Sequence, residues 1–359
     1  MGNNITCACD KGSDNNSEFD FTTANPDAMY QSKDQLRVKG GNFLQNLFRK
    51  KSSYEKLVDQ RKEQMKLQRG NESYEDITEE EFESNVPWKV NEVLNRLSEG
   101  VEVMRVQEKT IINVNLGPMS NKKEKEFYWG EWNTLGEKTG LGKMIKEDGS
   151  VYFGFFERNK FEGQGVLVRE NGDYYLGNWK AGVAEGKGAI VLSSQGIKYE
   201  GGFQDNMREG FGEEVYSDGA IFIGNYKNNE KEGEGTYNWS DGTKYSGSFT
   251  LSMLHGFGEM IWADGRSYKG YFAENKLHGK GEHRWPDGTS YEGTYSNGTK
   301  SGEGTFQWAS DKVYSGGWMN NKQHGNGKVS IKGKSYLGLW RFGKVIRLSE
   351  VTSNGGSTE

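Results

Sequence analysis

The chain has 359 residues, and its 46 Lys and Arg against 51 Asp and Glu give a formal net charge of −5. It begins without a signal peptide and contains no long apolar run, so we expect a cytoplasmic protein rather than a secreted or membrane-spanning one. The only two cysteines, Cys7 and Cys9, are then expected to stay reduced, and no structural disulfide is expected.

Residues 1–36 combine an acylation motif with an acidic, disordered tail. Gly2 and Thr6 match the N-myristoylation pattern, and Cys7 and Cys9 follow as candidates for palmitoylation. Six acidic and two basic residues predict disorder and repulsion from anionic lipid. One myristoyl chain binds membranes with an association constant of only about 10⁴ M⁻¹, so palmitate is the expected second anchor. The alternative is a fortuitous match beside ordinary reduced thiols.

Residues 37–108 are predicted to be helical, first basic and then acidic. Residues 37–69 have a charge balance of +7, and within them an apolar stripe leads into a basic run. This pattern is typical of a segment that lies on a membrane surface or binds calmodulin, and a solvated helix packed on the rest of the chain is the alternative. The segment consists of Phe43, Leu44, Leu47, Phe48, Arg49, Lys50 and Lys51.

Two serines follow that basic run directly. Phosphorylation of Ser52 and Ser53 would weaken a membrane contact electrostatically. The alternative is structural, because Ser52 with Glu55 also forms a capping box at the start of a helix.

Residues 70–108 have a charge balance of −8 and contain two predicted helices. Thr78 and Glu81 are predicted to cap the first helix, and Pro87 to open the second, which has an apolar stripe. We expect this stripe to cover the aromatic face of the following β-sheet within one chain, with a dimer contact as the alternative. Residues 109–127 are assigned to a linker and a strand (109–116) that protects the first edge of that sheet.

From Tyr128 onwards the chain repeats one pattern every 22 to 24 residues. Each copy has an aromatic residue, a Gly and a second aromatic at alternate positions, then Gly-x-Gly, and usually Asp-Gly. A fixed period indicates an array of like units rather than a single core. The copies begin at Tyr128, Tyr152, Tyr175, Tyr199, Phe222, Tyr245, Tyr268, Tyr291 and Tyr314, with a truncated copy at Tyr336.

Each copy is predicted to be a β-hairpin with one aromatic and one polar face. Tyr268, Gly270 and Phe272 alternate along a strand and therefore point to the same side. Pro286-Asp287-Gly288 fits a three-residue turn with its Gly in the left-handed conformation, and a longer turn rich in Asn and Lys is expected inside each copy. Copies of 23 residues are too short for propeller blades, and a parallel β-helix does not need Asp-Gly turns in register.

The predicted fold is therefore mainly β. Residues 128–346 form an elongated single-layer antiparallel sheet of about nine tandem hairpins, and residues 347–359 form a disordered tail. The repeated pattern resembles the MORN repeat (membrane occupation and recognition nexus) over roughly 60% of the chain. The resemblance implies a scaffold or adaptor in the cytoplasm, tied to membranes, the cytoskeleton, cilia or flagella.

Catalytic and nucleic-acid functions find no support in the sequence. It contains no Cys-His cluster, no P-loop and no Gly-x-Ser-x-Gly motif, so no catalytic residue, cofactor or metal site is predicted. His255, His278 and His324 occupy one repeat position, and His283 lies in a strand. Residues 109–359 carry 31 basic and 31 acidic side chains, so the repeats give no reason to expect nucleic-acid or strong lipid binding.

The function predicted from these observations is a non-enzymatic scaffold anchored by its acyl chains to the cytoplasmic face of the cell or ciliary membrane. The alternative is a soluble ciliary or cytoskeletal component similar to the radial spoke-head repeat proteins. We expect aromatic side chains to line a shallow groove for an amphipathic helix of a protein partner, or else to pack only on each other. They are Trp239, Tyr245, Trp262, Tyr268, Trp285, Tyr291 and Trp308.

Overall fold

The alternation of aromatic residues and glycines produces consecutive hairpins. The computed structural model describes residues 74–100, 114–121 and 124–351, and these form two helices and 22 strands. The chain divides into two compact units, whose described residues are 74–218 and 219–351. We call them the amino-terminal and the carboxyl-terminal unit.

The described part of the amino-terminal unit contains both helices and ten strands. In chain order these are β1 (Tyr74–Asp76), α1 (Glu79–Ser84), α2 (Trp88–Gly100), β2 (Val114–Asn121), β3 (Glu126–Trp132), β4 (Lys138–Ile145), β5 (Val151–Glu157), β6 (Lys160–Val168), β7 (Tyr174–Lys180), β8 (Val183–Leu192), β9 (Ile197–Gln204) and β10 (Met207–Tyr216). From β2 to β10 each strand pairs antiparallel with the next, and β1 pairs with β2.

The described part of the carboxyl-terminal unit contains twelve strands and no helix. They are β11 (Ile221–Lys227), β12 (Glu230–Asn238), β13 (Lys244–Thr250), β14 (Met253–Ile261), β15 (Ser267–Ala273), β16 (Lys276–Arg284), β17 (Ser290–Ser296), β18 (Thr299–Gln307), β19 (Lys312–Met319), β20 (Lys322–Ile331), β21 (Lys334–Arg341) and β22 (Lys344–Glu350). Each pairs antiparallel with the next. The predicted mainly β fold, a single-layer antiparallel sheet of tandem hairpins, is confirmed.

The opening aromatic residues of the repeats lie on one face of each unit's sheet, which we call the tyrosine face. Their rings are buried because glycines opposite one another on adjacent strands leave room for them. Gly270 is paired with Gly281, and a Cβ on either would collide with the ring of Tyr268. The hydroxyl of Tyr268 donates a hydrogen bond to the carbonyl of Tyr271, at 3.1 Å. The fully buried opening residues are Tyr128, Tyr152, Tyr175, Tyr199, Phe222, Tyr245, Tyr268, Tyr291 and Tyr314.

The turns follow the prediction at one end of the hairpins and differ from it at the other. Gly288 has a φ of +84°, and its amide donates to the carbonyl of Trp285, which closes the predicted three-residue turn. The turn inside each copy is shorter than expected. β11 and β12 are joined by Asn228 and Asn229 alone, with φ values of 49° and 70°. Asn tolerates the left-handed region, which permits a tight two-residue hairpin.

The two helices pack on the face opposite the tyrosines. Thr78 caps α1 as predicted, because its side chain accepts a hydrogen bond from the amide of Glu81 at 3.0 Å. The apolar stripe of α2 is buried within the chain, as expected, but the expectation that it covers the aromatic face is wrong. The residues buried together are Phe82, Val86, Val90 and Val93 of the helical segment with Trp129, Ile145, Val151, Val166, Val168, Tyr174 and Val191 of the sheet.

This placement has a cause in the strands of the amino-terminal unit. Along β5, Val151 and Phe153 alternate with Tyr152, so both faces of the strand carry apolar side chains. The predicted polar second face is therefore wrong in this unit, and the exposed apolar area would be costly without the helices above it. In β15 of the carboxyl-terminal unit the corresponding positions are Ser267 and Lys269, and at these two positions the polar prediction holds.

The ends of the strand array also differ from the predicted bounds. β2 lies at residues 114–121 rather than 109–116; residues 109–113 are outside the described residues. β2 continues through Pro118, where the register with β3 shifts, as proline requires in a sheet. β1 covers part of its outer edge. β22 reaches Glu350, four residues beyond the predicted end at 346.

Candidate functional site

The three tyrosines that were predicted to contact a partner are buried beneath the tyrosine face and contribute nothing to its accessible surface. Tyr245, Tyr268 and Tyr291 are each 0% exposed. Their hydroxyls donate to the carbonyls three residues further on, at 2.9 to 3.1 Å. Burial raises the pKa of all three phenols, so they remain neutral donors. Any contact surface above them must be supplied by other side chains.

The four predicted tryptophans, Trp239, Trp262, Trp285 and Trp308, lie on the same face as these tyrosines. Each stands at the entrance of a three-residue turn, and each is partly exposed. We call these four side chains the tryptophan row. They recur every 23 residues, and neighbouring turns at the same end of the sheet are separated by two strand spacings, or about 10 Å.

The rings near the middle of the row pack closely against their neighbours. His283 is stacked between Trp262 and Trp285, with centroid separations of 5.2 and 4.0 Å and interplanar angles of 11° and 2°. Phe306 similarly touches Trp285 at 5.8 Å and Trp308 at 4.7 Å. The tryptophan row is thus self-packed and partly exposed at once, and the packing fixes the ring orientations.

Positive side chains lie over the row. The ammonium of Lys300 is 4.4 to 5.3 Å from the centroids of four rings, those of Phe306, Trp285, Tyr291 and Trp318. These are distances for cation–π attraction. Burial lowers the pKa of Lys300 to about 8. Two further cations lie close to the row: Lys312 over Trp308 at 4.3 Å and Arg266 over Trp262 at 5.1 Å.

Two buried polar atoms on this face have no hydrogen-bond partner among the described residues. They are Nε2 of His283 and the hydroxyl oxygen of Tyr295, on side chains 7% and 3% exposed. Burial is the first cause that lowers the pKa of His283, to about 4, and the nearby charges of Lys300 and Arg266 add to it. Burial likewise raises the pKa of Tyr295. His283 is therefore neutral at pH 7, and Tyr295 keeps its proton.

The family comparison matches the same repeat that the hairpins show. The model of the MORN repeat matches eight consecutive segments, at residues 152–174, 175–195, 199–221, 222–244, 245–265, 268–290, 291–313 and 314–330. This chain is a MORN-repeat protein. The hairpins that open at Tyr128 and Tyr336 lie outside the matched segments; the first has the Gly–Gly pair of the MORN repeats, and in the second Gly338 is paired with Leu348.

The MORN-repeat chain also has distant similarity to solved structures. One is the TCP domain of SAS-4 from Drosophila melanogaster in complex with a proline-rich motif of Ana2 (12% identity, 44% of this chain and 84% of that chain, TM-score 0.29). Another is a TCP10 domain of Danio rerio CPAP (12% identity, 64% and 96%, TM-score 0.20). A third is a streptogramin B lyase (12% identity, 69% and 84%, TM-score 0.13). No curated protein matches the chain.

The remaining predicted site residues are in the amino-terminal segment that precedes the described residues. Gly2, Cys7 and Cys9, the segment from Phe43 to Lys51, and the pair Ser52 and Ser53 all lie outside the described residues. In the part that is described, no helix is long and apolar enough to cross a membrane. The same part contains no group of three or more His, Cys, Asp or Glu side chains arranged to hold a metal ion.

The polar residues on the tyrosine face were not predicted as site residues. The sequence places His283 in a strand without a functional role, and neither Lys300 nor Tyr295 is singled out by its motifs. A signal was present in the period of 23, since Lys300 stands where the two preceding MORN repeats have Leu254 and Leu277, and Tyr295 where the preceding repeat has Phe272. That these groups lack partners follows only from the packing around them.

Proposed function

We propose that this MORN-repeat protein is a non-enzymatic scaffold that binds a protein partner through the tryptophan row. In the proposal, acyl chains on Gly2 and on Cys7 or Cys9 hold it at the cytoplasmic face of a membrane. The observation that carries the binding half is the row itself, four partly exposed indoles on buried tyrosines. MORN-repeat proteins are generally non-enzymatic scaffolds that bind partners or membranes, which supports the proposal.

The spacing of the tryptophan row suits an amphipathic helix. Successive row positions are about 10 Å apart, because two strands separate them. A helix rises 1.5 Å per residue, so side chains seven residues apart lie about 10.5 Å apart on one face. A partner helix crossing the strands would therefore bring apolar residues at i, i+7 and i+14 next to successive tryptophans. Indole rings offer large, rigid contact area, which is typical of binding hot spots.

The binding half can be tested on the full chain with a display library of random 20-residue peptides. Peptides selected on the wild type are measured again on Trp285→Tyr, because Tyr216 occupies the same position in an earlier MORN repeat. We expect at least tenfold weaker binding with little change in melting temperature. Tyr271→Thr is the matched control: Tyr271 is half exposed on the opposite face, and Thr294 is its counterpart. Equal binding to the wild type and to Trp285→Tyr would contradict the proposal that the tryptophan row binds the partner.

The membrane half is tested by metabolic labelling with an alkyne analogue of myristate, followed by membrane fractionation. Label on the wild type and none on Gly2→Ala, with the variant moving to the soluble fraction, supports the anchor. Replacing Cys7 and Cys9 by Ser then tests the second acyl chain, which a single myristoyl group requires for stable attachment. The absence of label with unchanged fractionation favours the soluble ciliary or cytoskeletal component. In that case a variant lacking residues 1–36 keeps its localisation.

The basic segment from Phe43 to Lys51 is proposed as an additional membrane contact. Phosphorylation at Ser52 or Ser53 would weaken it by adding negative charge beside Arg49 and Lys50. Mass spectrometry of the native protein provides the test, since both serines unmodified under every growth condition would rule out the switch.

A further inference from the structure

Three polar side chains that form no side-chain hydrogen bond or ion pair among the described residues lie on the tyrosine face, around the ring of Tyr291. Nε2 of His283 and the hydroxyl of Tyr295 are buried and form no hydrogen bond within the described residues. The Lys300 ammonium is enclosed by four aromatic rings and forms no ion pair with any carboxylate of that part of the chain. We call these three side chains the polar cluster.

Strand register places the three residues of the polar cluster on three adjacent strands. His283 of β16 is paired with Tyr291 of β17, and Tyr295 of β17 is paired with Lys300 of β18. The Tyr295 ring is 5.2 Å from the Tyr291 ring, and the Lys300 ammonium is 4.8 Å from that same ring. Trp285 and Trp318 border the cluster, each within 5.3 Å of the ammonium.

The fold does not need polar groups at these positions. In the two preceding MORN repeats the position of Lys300 is held by Leu254 and Leu277, and Phe272 holds that of Tyr295, whereas the repeat that opens at Phe222 has Lys231 and Tyr226 there. A buried polar group left without a hydrogen bond costs about 1–3 kcal/mol, so an apolar residue would be more favourable at each position. Two such buried groups, His283 and Tyr295, together with an ammonium that forms no ion pair with a described carboxylate, point to a ligand that satisfies them.

The chemistry of the polar cluster defines that ligand. The ammonium and the phenol are hydrogen-bond donors, and the neutral imidazole can present a donor at Nε2. The charge at the centre is positive, the surrounding walls are aromatic, and Lys312 adds a second cation along the tryptophan row. A carboxylate accepts hydrogen bonds from donors of these kinds, and its charge-assisted bond to the ammonium is the stronger type.

We propose that the polar cluster recognises the carboxylate of an Asp or Glu side chain that projects from the partner helix bound on the tryptophan row. This inference rests on the proposed function and specifies it further. The partner helix then carries one acidic residue among the apolar residues that meet the tryptophans. The carboxylate selects the register, because a helix shifted by one turn would place an apolar residue against the ammonium.

The experiment uses the full chain and the 20-residue peptides selected on the wild type, with affinities measured by fluorescence anisotropy. We expect the peptides to share one Asp or Glu between apolar residues. Lys300→Leu, which copies the residue of two neighbouring repeats, should weaken binding at least tenfold, and Tyr295→Phe several-fold. Changing the peptide Glu to Gln should weaken binding to the wild type. The same change should weaken binding to Lys300→Leu very little further, which is the result expected when the two charged groups contact each other directly.

Lys280→Leu is the control for charge, because Lys280 is exposed on the opposite face and should bind the peptides like the wild type. Peptides that are weakened by Trp285→Tyr but not by Lys300→Leu would overturn the carboxylate site and leave the proposed function standing. Failure to select any peptide would count against both. If no peptide is selected but phosphatidylserine vesicles bind in a manner that depends on Lys300, the ligand is a lipid headgroup. That result would overturn the proposal that a partner helix supplies the carboxylate.

Discussion

Arg208 and Glu214 form an ion pair on the tyrosine face of the amino-terminal unit, with Nη1 of the arginine 2.5 Å from Oε1 of the glutamate. The carboxylate is almost completely buried, and the hydroxyl of Tyr216 also donates to it. The guanidinium lies over the ring of Tyr199, 5.6 Å from its centroid. The equivalent positions of the MORN repeat that starts at Tyr245 hold Leu254 and Met260, so the same backbone accepts either a charged or an apolar pair.

Removing one member of this pair should be far more harmful than removing both. Arg208→Leu leaves the Glu214 carboxylate buried without its ion-pair partner, and we expect a loss of about 3–5 kcal/mol in the free energy of unfolding. The double variant Arg208→Leu/Glu214→Met restores a combination that the chain already uses and should be about as stable as the wild type, or more so. Urea unfolding of the three proteins checks this. A double variant no better than Arg208→Leu would contradict it.

The contact of Tyr268 with its two glycines leads to a second prediction. Tyr268→Phe removes only the hydrogen bond to the Tyr271 carbonyl, and Phe222 occupies this position elsewhere, so we expect a loss of about 1 kcal/mol. Gly281→Ala inserts a methyl group into the Tyr268 ring and should cost about 1–3 kcal/mol more than the phenylalanine variant. Thermal melting of both variants provides the comparison. An alanine variant as stable as the phenylalanine one would show that the ring can move aside.

The hairpins were predictable because their signals are local. The period of 23 sets the unit, and the Gly opposite each ring and the Asp-Gly turn are readable within one copy. The double Asn at 228 and 229 also favoured a two-residue turn, and the longer loop expected there ignored how well Asn adopts positive φ. The wrong turn length therefore came from misreading the local turn residues, and contacts with distant parts of the chain did not cause it.

The placement of the helices needed a different signal. Val151-Tyr152-Phe153 and Val166-Leu167-Val168 break the alternation of apolar and polar residues that the later repeats keep. Both faces are therefore apolar there, and a helix can bury its stripe on the face that the tyrosines do not occupy. The polar cluster is harder to foresee, since Lys300 among four rings could equally have met a carboxylate from a neighbouring strand. Only the packed structure shows that it does not.

The helical cover leads to a prediction about the amino-terminal unit. Phe82 of α1 is fully buried and meets the ring of Trp129 edge to face at 5.7 Å. Phe82→Ala should cost about 3–5 kcal/mol, because it removes the ring and leaves a cavity beneath the helices. Trp88→Ala is the matched control: Trp88 is 71% exposed, and its loss should change stability by no more than about 0.5 kcal/mol.

Hydrogen exchange locates the effect of Phe82→Ala. Backbone amides of β5 and β6 should exchange faster in this variant, because those strands carry Val151 and Val166 beneath the helices. Unchanged exchange in these strands would mean that the helices contribute little to the sheet.

The stability of the carboxyl-terminal unit should fall in acid because of His283. The pKa of His283 is lowered from 6.5 to about 4, first by burial and then by Lys300 and Arg266, with Asp264 acting in the opposite direction. The unfolded chain therefore binds more protons than the folded one between these values. Stability from the neutral imidazole is fully present above pH 6.5 and is lost as the pH falls towards 4, with a total loss of roughly 2–3 kcal/mol.

His283→Phe copies Phe306 of the next repeat and should flatten this part of the pH profile, measured by urea unfolding at pH 7 and 4.5. His278→Gln, at an exposed position, should keep the wild-type profile, and a phenylalanine variant that loses as much stability in acid as the wild type would exclude His283 as the cause.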